Sequence, residues 1–412
     1  MNYLQKAASY LLILILFVSC SETPEEPQDY EPIRLDLKSQ EIVNTTNDFG
    51  FDLFKEIVNE KGNENLMISS LSVAQALGMT WNGAQGATRD EMTQMLGFSV
   101  DNEKELNNSN KTIREALLKA DNMVEMKIAN SIWFRNTFIV DQGFVDINRE
   151  YYDAEVKALD FNDVAGSKKI INGWVRDRTN GRIPAIVDRI NPEDIMFLIN
   201  AVYFKGKWKY EFKKDDTVDE LFYYADGSKA EVKMMVQEAS LGYFGNSEYK
   251  GLILPYGNGH FNMVVLLPDA GNDLKDIIAE LNDQNLSNEI NNAAEMNVKV
   301  WLPKFKFEYE AELKSPLKEL GMVTAFSDMA DLSGIGTPSN LTISSVKHKT
   351  FVEVNEEGTE AAAVTSVTVG VTSVGPGEGM PEFKVNRPFL FLIREKDTGA
   401  ILFTGQVYTP GS

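Results

Sequence analysis

Apolar residues along the chain fall into two periods, and the switches between them lay out the elements. Phe49, Leu53 and Ile57, with Phe54 and Val58 beside them, recur at helical spacing and predict a helix over Ser39–Asn59 capped by Ser39. Asn65–Phe98 reads as a short strand, a helix from near Ser69, a glycine turn and a second helix, for which Thr88 and Glu91 are spaced as a capping box. Residues 101–121 are polar and predict a loop and a surface helix, and further helices are expected over 141–153, Ile170–Thr179 (closed by Asn180-Gly181), Leu274–Leu286 and Leu313–Gly321. Val124, Met126, Ile128, Asn130, Ile132 and Phe134 alternate as a long strand. Ile195–Trp208 opens as an almost unbroken apolar run, the pattern of a strand inside a covered sheet. Hairpins are expected over Thr217–Leu267, with a turn at Asp226-Gly227. Long strands follow at Val298–Glu310, Phe383–Glu395 and Ile401–Tyr408, the last two joined by a turn at Asp397–Gly399. Helices come first and mixed strands later, and no linker divides the body after residue 40, so one α+β domain over 41–412 is the expected architecture.

One stretch breaks the rule that loops are composed as loops. After the short strand Phe351–Val354, Glu356-Glu357-Gly358 interrupts, and then a run of Ala, Thr, Ser, Val and Gly extends to Val374. Read with a period of two, Thr359, Ala361, Ala363, Thr365, Val367, Val369 and Val371 make a small apolar face. Glu360, Ala362, Val364, Ser366, Thr368, Gly370 and Thr372 make a more polar one. Gly375–Gly379 (GPGEG) then signals a flexible connection. A loop composed as a strand suggests two states, one exposed and one inserted in a sheet; an ordinary edge strand followed by a glycine-rich loop fits the composition too.

Charge and cysteine content narrow the chemistry. The net charge is −21, and Lys6 is the only charge in residues 1–19. Such a polyanion repels nucleic acid and anionic lipid, so neither is an expected partner. The apolar run Tyr10–Val18 behind Lys6 is too short for a stable transmembrane helix and reads as an export signal over residues 1–19. It ends in Phe17-Val18-Ser19-Cys20, which resembles a bacterial lipoprotein signal, although Phe17 stands where Leu is usual. That resemblance implies cleavage before Cys20, lipid on its sulfur and an exported, membrane-anchored protein at the outer membrane, the cell surface or in the periplasm. The polar, acidic, proline-containing residues 20–40 then form a flexible tether. Cys20 is the only cysteine, so an acylated chain has no disulfide and no thiolate chemistry.

The body of the chain resembles the serpins over roughly residues 40 to 410. Asn65–Phe98, Trp301–Phe307 with Leu317–Ile335 and Phe383–Ile393 carry the likeness, and NAVYFKGKW (Asn200–Trp208) is highly specific. EVNEEGTEAAA (Glu353–Ala363) matches the hinge of the inhibitory members. The resemblance implies three β-sheets with eight or nine helices and an exposed reactive-centre loop. It implies a suicide-substrate mechanism, in which a protease cuts the loop, forms an acyl-enzyme and is carried across the molecule as the cut loop becomes a new strand of the large sheet. The protein itself would be a monomer and not an enzyme.

Residue by residue, the likeness assigns Glu356, Gly358, Thr359, Glu360, Ala361, Ala362 and Ala363 to the hinge. It assigns Ser69, Ser72, Asn200 and His348 to the polar cluster under the large sheet, and Trp208 to the point where insertion begins. Ser70 stands where many serpins have Pro. The family spacing, sixteen residues on from Glu356, places the reactive bond at Thr372-Ser373, with Val371, Val374 and Met380 as alternatives because the distal loop is long. Small aliphatic neighbours suit an elastase-like serine protease, and the absence of Arg and Lys between Gly358 and Phe383 argues against trypsin-like targets. Papain-like cysteine proteases, subtilisin-like proteases and a non-inhibitory surface-binding role remain open.

Other chemistries find little in the chain. Its two histidines, His260 in a turn before a strand and His348 in a buried setting, lack a nucleophile pairing for a Ser-His-Asp hydrolase. No run of His, Cys or carboxylates shows metal-ligand spacing, so no cofactor is expected, and GPGEG lacks the context of a phosphate loop.

Overall fold

The computed structural model describes residues 29–98, 102–191, 193–337, 341–359 and 380–411. Among them nine α-helices surround three β-sheets, the α+β architecture expected. The helices are α1 (Leu37–Lys61), α2 (Ser70–Trp81), α3 (Gly86–Leu96), α4 (Glu103–Lys119) and α5 (Gln142–Tyr152). Then come α6 (Val164–Arg178), α7 (Leu274–Glu280), α8 (Asp283–Asn291) and α9 (Lys314–Glu319).

The six-stranded sheet runs β11 (Phe305–Glu312), β13 (Ser345–Asn355), β14 (Gly358–Thr359), β5 (Met196–Lys207), β2 (Val124–Arg135) and β4 (Glu155–Leu159). The nine-stranded sheet begins β1 (Leu66–Ile68), β17 (Ile401–Val407), β16 (Phe389–Glu395), β9 (Phe261–Pro268) and β8 (Tyr249–Pro255). It continues through β7 (Lys229–Gly245), β10 (Ala294–Pro303) and β15 (Glu382–Lys384), with β6 (Val218–Tyr223) on β7. A short pair joins β3 (Ile139–Val140) to β12 (Gly336–Thr337). The main core lies between the two large sheets and under α1 and α2. A smaller core, including Trp133, Ile171, Ile199 and Phe197, covers the opposite face of the six-stranded sheet.

All twelve residues of α2 are buried, consistent with a helix apolar on every side. Gly50 allows α1 to cross it closely, since a Cβ there would run into the Ser70 side chain. The N-terminus of α2 thereby points at the middle of the six-stranded sheet, which positions the site described below.

Several elements differ from their sequence reading for local physical reasons. The cap of α1 is Asp36, whose carboxylate accepts from Ser39 N at 2.8 Å, so the helix starts at Leu37 and Ser39 serves as the donor. Tyr30 stacks on His260, and Ile33 and Leu35 pack on the core, so the ordered body begins well inside the stretch read as tether up to residue 40. Residues 1–28, with the export signal and Cys20, lie outside the described residues. Thr88 and Glu91 form no capping box: α3 starts at Gly86, Thr88 Oγ1 accepts from Asp331 N, and Glu91 accepts from Val323 N and Thr324 N. Both side chains serve tertiary contacts in place of their own helix.

Leu274–Leu286 is two helices, because Leu281 is extended and Asn282 caps α8 by accepting from Asn285 N. Val298–Glu310 is two strands of different sheets. Val298, Val300 and Leu302 are buried at even positions, whereas Phe305, Tyr309 and Ala311 are buried at odd ones. The phase slips at Pro303-Lys304, where the chain crosses from one sheet to the other. Phe383–Glu395 divides likewise at Arg387-Pro388, leaving β15 beside β10 and β16 between β9 and β17. Asp36→Ala is expected to lower the stability of the domain by about 1 kcal/mol, and Asp36→Asn by less, as read from urea-unfolding midpoints.

Candidate functional site

Three strands in register build the floor of the site. Asn130 on β2 pairs with Asn200 on β5, and Asn200 with His348 on β13, so their side chains share one row on one face. The N-terminus of α2 rests on that row. The Ser69 backbone N–H donates to His348 Nε2 at 3.0 Å, so Nδ1 holds the ring proton and donates to Asn200 Oδ1 at 2.8 Å. Asn200 Nδ2 faces Ser72 O at 3.1 Å, the Ser72 hydroxyl and Asn130 Oδ1 at 2.7 Å. The structure thus brings together Ser69, Ser72, Asn200 and His348, with Ser69 contributing through its backbone. It adds Asn130, which sequence reading missed because only the strand register reveals it. Ser70 Oγ and Asn130 Nδ2 are buried without partners among the described residues. His348 is fully buried, and that burial pushes its pKa down from 6.5 to about 3.

The hinge begins at the other end of the same strands. β13 and β5 pair directly and in parallel from Ser345–Phe197 to Thr350–Val202. Beyond that they part, and β14 fits between them, antiparallel to both: Thr359 lies opposite Val354 and Gly206, and Gly358 opposite Asn355 and Lys207. Gly358 has φ +151°, and a Cβ there would run into the Gly206 carbonyl oxygen. Only glycine meets both conditions, a stronger requirement than the flexibility expected of it. Thr359 is 1% exposed, and its hydroxyl is 2.6 Å from Tyr256 OH.

Aromatic and charged groups fix this end. Trp208 stacks on Tyr256 with ring centroids 4.4 Å apart and donates from Nε1 to Asn355 O at 2.9 Å. Trp208 N donates to Glu357 O and Phe212 N to Glu356 O, each at 3.0 Å. The Glu356 carboxylate is buried against Lys304 Nζ at 2.9 Å and accepts from Thr217 Oγ1 at 2.9 Å. Burial alone would raise its pKa, and these bonds outweigh burial and lower it. Glu357 pairs with Lys214. Tyr256, Thr217 and Lys304 carry no local sequence signal, because each comes from a distant part of the chain.

Glu356, Gly358, Thr359 and Trp208 therefore meet at one end of the sheet. Glu360, Ala361, Ala362, Ala363, Val371, Thr372, Ser373 and Val374 lie outside the described residues. Met380 is described and half-buried, next to Pro381, whose carbonyl accepts from Lys299 N at 3.0 Å.

Two middle strands of the sheet thus pair at one end and are held apart at the other by β14, the base of a loop. The family model described as "Serpin (serine protease inhibitor)" matches residues 44–410. An uncharacterised serpin-like protein of Thermococcus kodakarensis is 35% identical over 370 residues, covering 90% of this chain and 86% of its own. A leukocyte elastase inhibitor of Xenopus laevis is 36% identical over 373 residues, covering 88% and 97%. The native-state crystal structure of tengpin, a thermophilic serpin, superposes with a TM-score of 0.82 at 35% identity, covering 93% of this chain and 97% of that one. The chain belongs to the serpin family.

Because folded His348 stays neutral down to about pH 3 while the unfolded chain protonates it below 6.5, stability falls as pH drops through that window. The slope is roughly 1.4 kcal/mol per pH unit. Urea-unfolding midpoints between pH 7.5 and 5.5 are expected to fall more steeply for the wild type than for His348→Gln. Equal slopes would show that His348 is not held neutral.

Proposed function

We propose that the chain is a suicide-substrate protease inhibitor whose loop, cut near Thr372-Ser373, continues the insertion that β14 begins. The observation that carries this reading is the register of β14. Extended along the same diagonal, Ala361 falls opposite Phe204 and Val352, and Ala363 opposite Val202 and Thr350. Thr365 falls opposite Asn200 and His348, Val367 opposite Leu198 and Val346, and Val369 opposite Met196 and Ser344. Phe204, Val202, Leu198 and Met196 belong to the main core, so the small apolar face of the loop would face that core. The more polar face would start beside Lys205 and end over Ala201, Ile199 and Phe197 of the smaller core.

Insertion breaks one ladder, β13 on β5, and makes two, each new backbone bond contributing on the order of 1 kcal/mol net. The inserting strand would run out at Val369, opposite the first residue of β5, and Thr372 would sit just past the edge. A protease acylated there would be carried the whole length of the sheet. Met380 fits less well, since it adjoins the anchored Pro381 and would leave a long slack arm. The small side chains around Thr372 favour an elastase-like serine protease, and the same proposal has the chain exported and held by lipid on Cys20.

Incubated with elastase, the protein is expected to form a covalent complex stable to detergent, and mass spectrometry of the released peptide to place the cut after Thr372 or a neighbouring Val. Cleaved protein beside fully active elastase would remove that target. Complexes formed only with a papain-like or subtilisin-like protease would move the scissile bond, and cleavage without a complex by any protease would favour a non-inhibitory surface-binding role. Thr365→Arg is expected to leave the native protein's melting temperature unchanged and to turn trapping into turnover. A buried unpaired charge costs several kcal/mol, enough to slow insertion by about tenfold or more. Thr359→Arg should also turn trapping into turnover, by ejecting β14 from the sheet. Undiminished trapping by Thr365→Arg would overturn the insertion register.

A further inference from the structure

The turn after β16 meets the turn before β9, the same turn whose Tyr256 packs on Trp208 beside Thr359. We infer that His260, Glu395 and Asp397 form a binding site for a divalent transition-metal cation. His260 is 2% exposed, and its Nδ1 has no hydrogen-bond partner among the described residues. That nitrogen lies 3.6 Å from Glu395 Oε1 and 3.6 Å from Asp397 Oδ2. These separations exceed a hydrogen bond. They match the spacing of about 3.4 Å between neighbouring ligands of a tetrahedral ion held at 2.0–2.1 Å. All three ligand atoms fall within 4.8 Å of one another.

The carboxylates are aimed by groups other than the histidine. Thr398 N and Oγ1 donate to Glu395 Oε2 at 2.7 and 2.6 Å, and Asp397 N donates to Oε1 at 3.0 Å. Tyr30 OH donates to Asp397 Oδ1, and Ile33 N to Asp397 Oδ2 at 2.9 Å. The Tyr30 ring stacks on His260 with centroids 4.3 Å apart, and Lys396 Nζ stands 5.1 Å from the centre of that ring. The hydrogen bonds to the two carboxylates are outer contacts of the kind that orient ligands in metal sites. An imidazole and two carboxylates supply one nitrogen and two oxygens, a set that suits Zn²⁺ or Mn²⁺ and not Ca²⁺ or Mg²⁺. The partly open side of Asp397 leaves room for water to complete the coordination.

A bound ion would give the His260 nitrogen its missing partner and would fasten the segment before α1, through Tyr30 and Ile33, to the β16–β17 turn. Sequence spacing conceals the site, because His260 and Glu395 are far apart in the chain and meet only through the pairing of β9 with β16.

Titration of the full-length protein with Zn²⁺, and with Co²⁺ as its visible-spectrum substitute, is expected to show one saturable equivalent and a raised melting temperature. His260→Gln and Asp397→Asn should weaken binding by about a hundredfold, Tyr30→Phe by about tenfold, and Cys20→Ser not at all. Hydrogen exchange at the Ile33 amide, slowed by Zn²⁺ in the wild type, gives a readout should His260→Gln fail to fold. Absence of saturable binding, binding that survives in Asp397→Asn, or Ile33 exchange indifferent to Zn²⁺ would overturn the site.

Discussion

The parallel ladder between β13 and β5 is the interaction on which the rest depends. It runs only from Ser345–Phe197 to Thr350–Val202, and above it the same strands are already held apart by Gly358 and Thr359. A strand between two parallel neighbours, antiparallel to both, exchanges one ladder for two. If the loop inserts as proposed, the sheet gains hydrogen bonds on opening, and the barrier to opening is what would keep it closed. His348, Asn200 and Ser72 sit across the seam that would have to open, with the end of α2 resting on them. Buried polar groups there hold the closed arrangement in one register, while apolar neighbours of the same size would hold it less specifically.

Much of this was legible in the chain. The alternation of Val124–Phe134 and the apolar run from Ile195 gave the two strands that carry Asn130 and Asn200, because burial on one or both faces leaves a direct imprint on composition. Of the small face read over Thr359–Val371, only Thr359 falls among the described residues, and it is buried. What failed to show was whatever depends on distant segments. Thr88 and Glu91 have the spacing of a helix cap, yet their hydrogen bonds go to the 323–331 segment, since a tertiary donor competes on equal terms with a local one. The parity change at Pro303-Lys304 was a usable signal for two strands, hidden within a stretch whose overall alternation is strong.

The charges about the hinge follow the same division. Glu356 and Glu357 look in sequence like a polar interruption, whereas in the structure both are bound, to Lys304 with Thr217 and to Lys214. The acidic pair marks where the loop base is fixed, and Gly358 immediately after it takes the backbone into the gap between strands.

Lys304 stands at the residue where the chain leaves the nine-stranded sheet for the six-stranded one, with its backbone N–H on Lys233 O and its ammonium on Glu356. It acts as a rivet through both sheets and the base of the loop. A shear of one sheet over the other would load this rivet first, so strain arising anywhere along β7 or β10 would reach the loop as tension at Glu356. Were the loop to insert as proposed, a remote face of the molecule would thereby have mechanical access to the timing of that step.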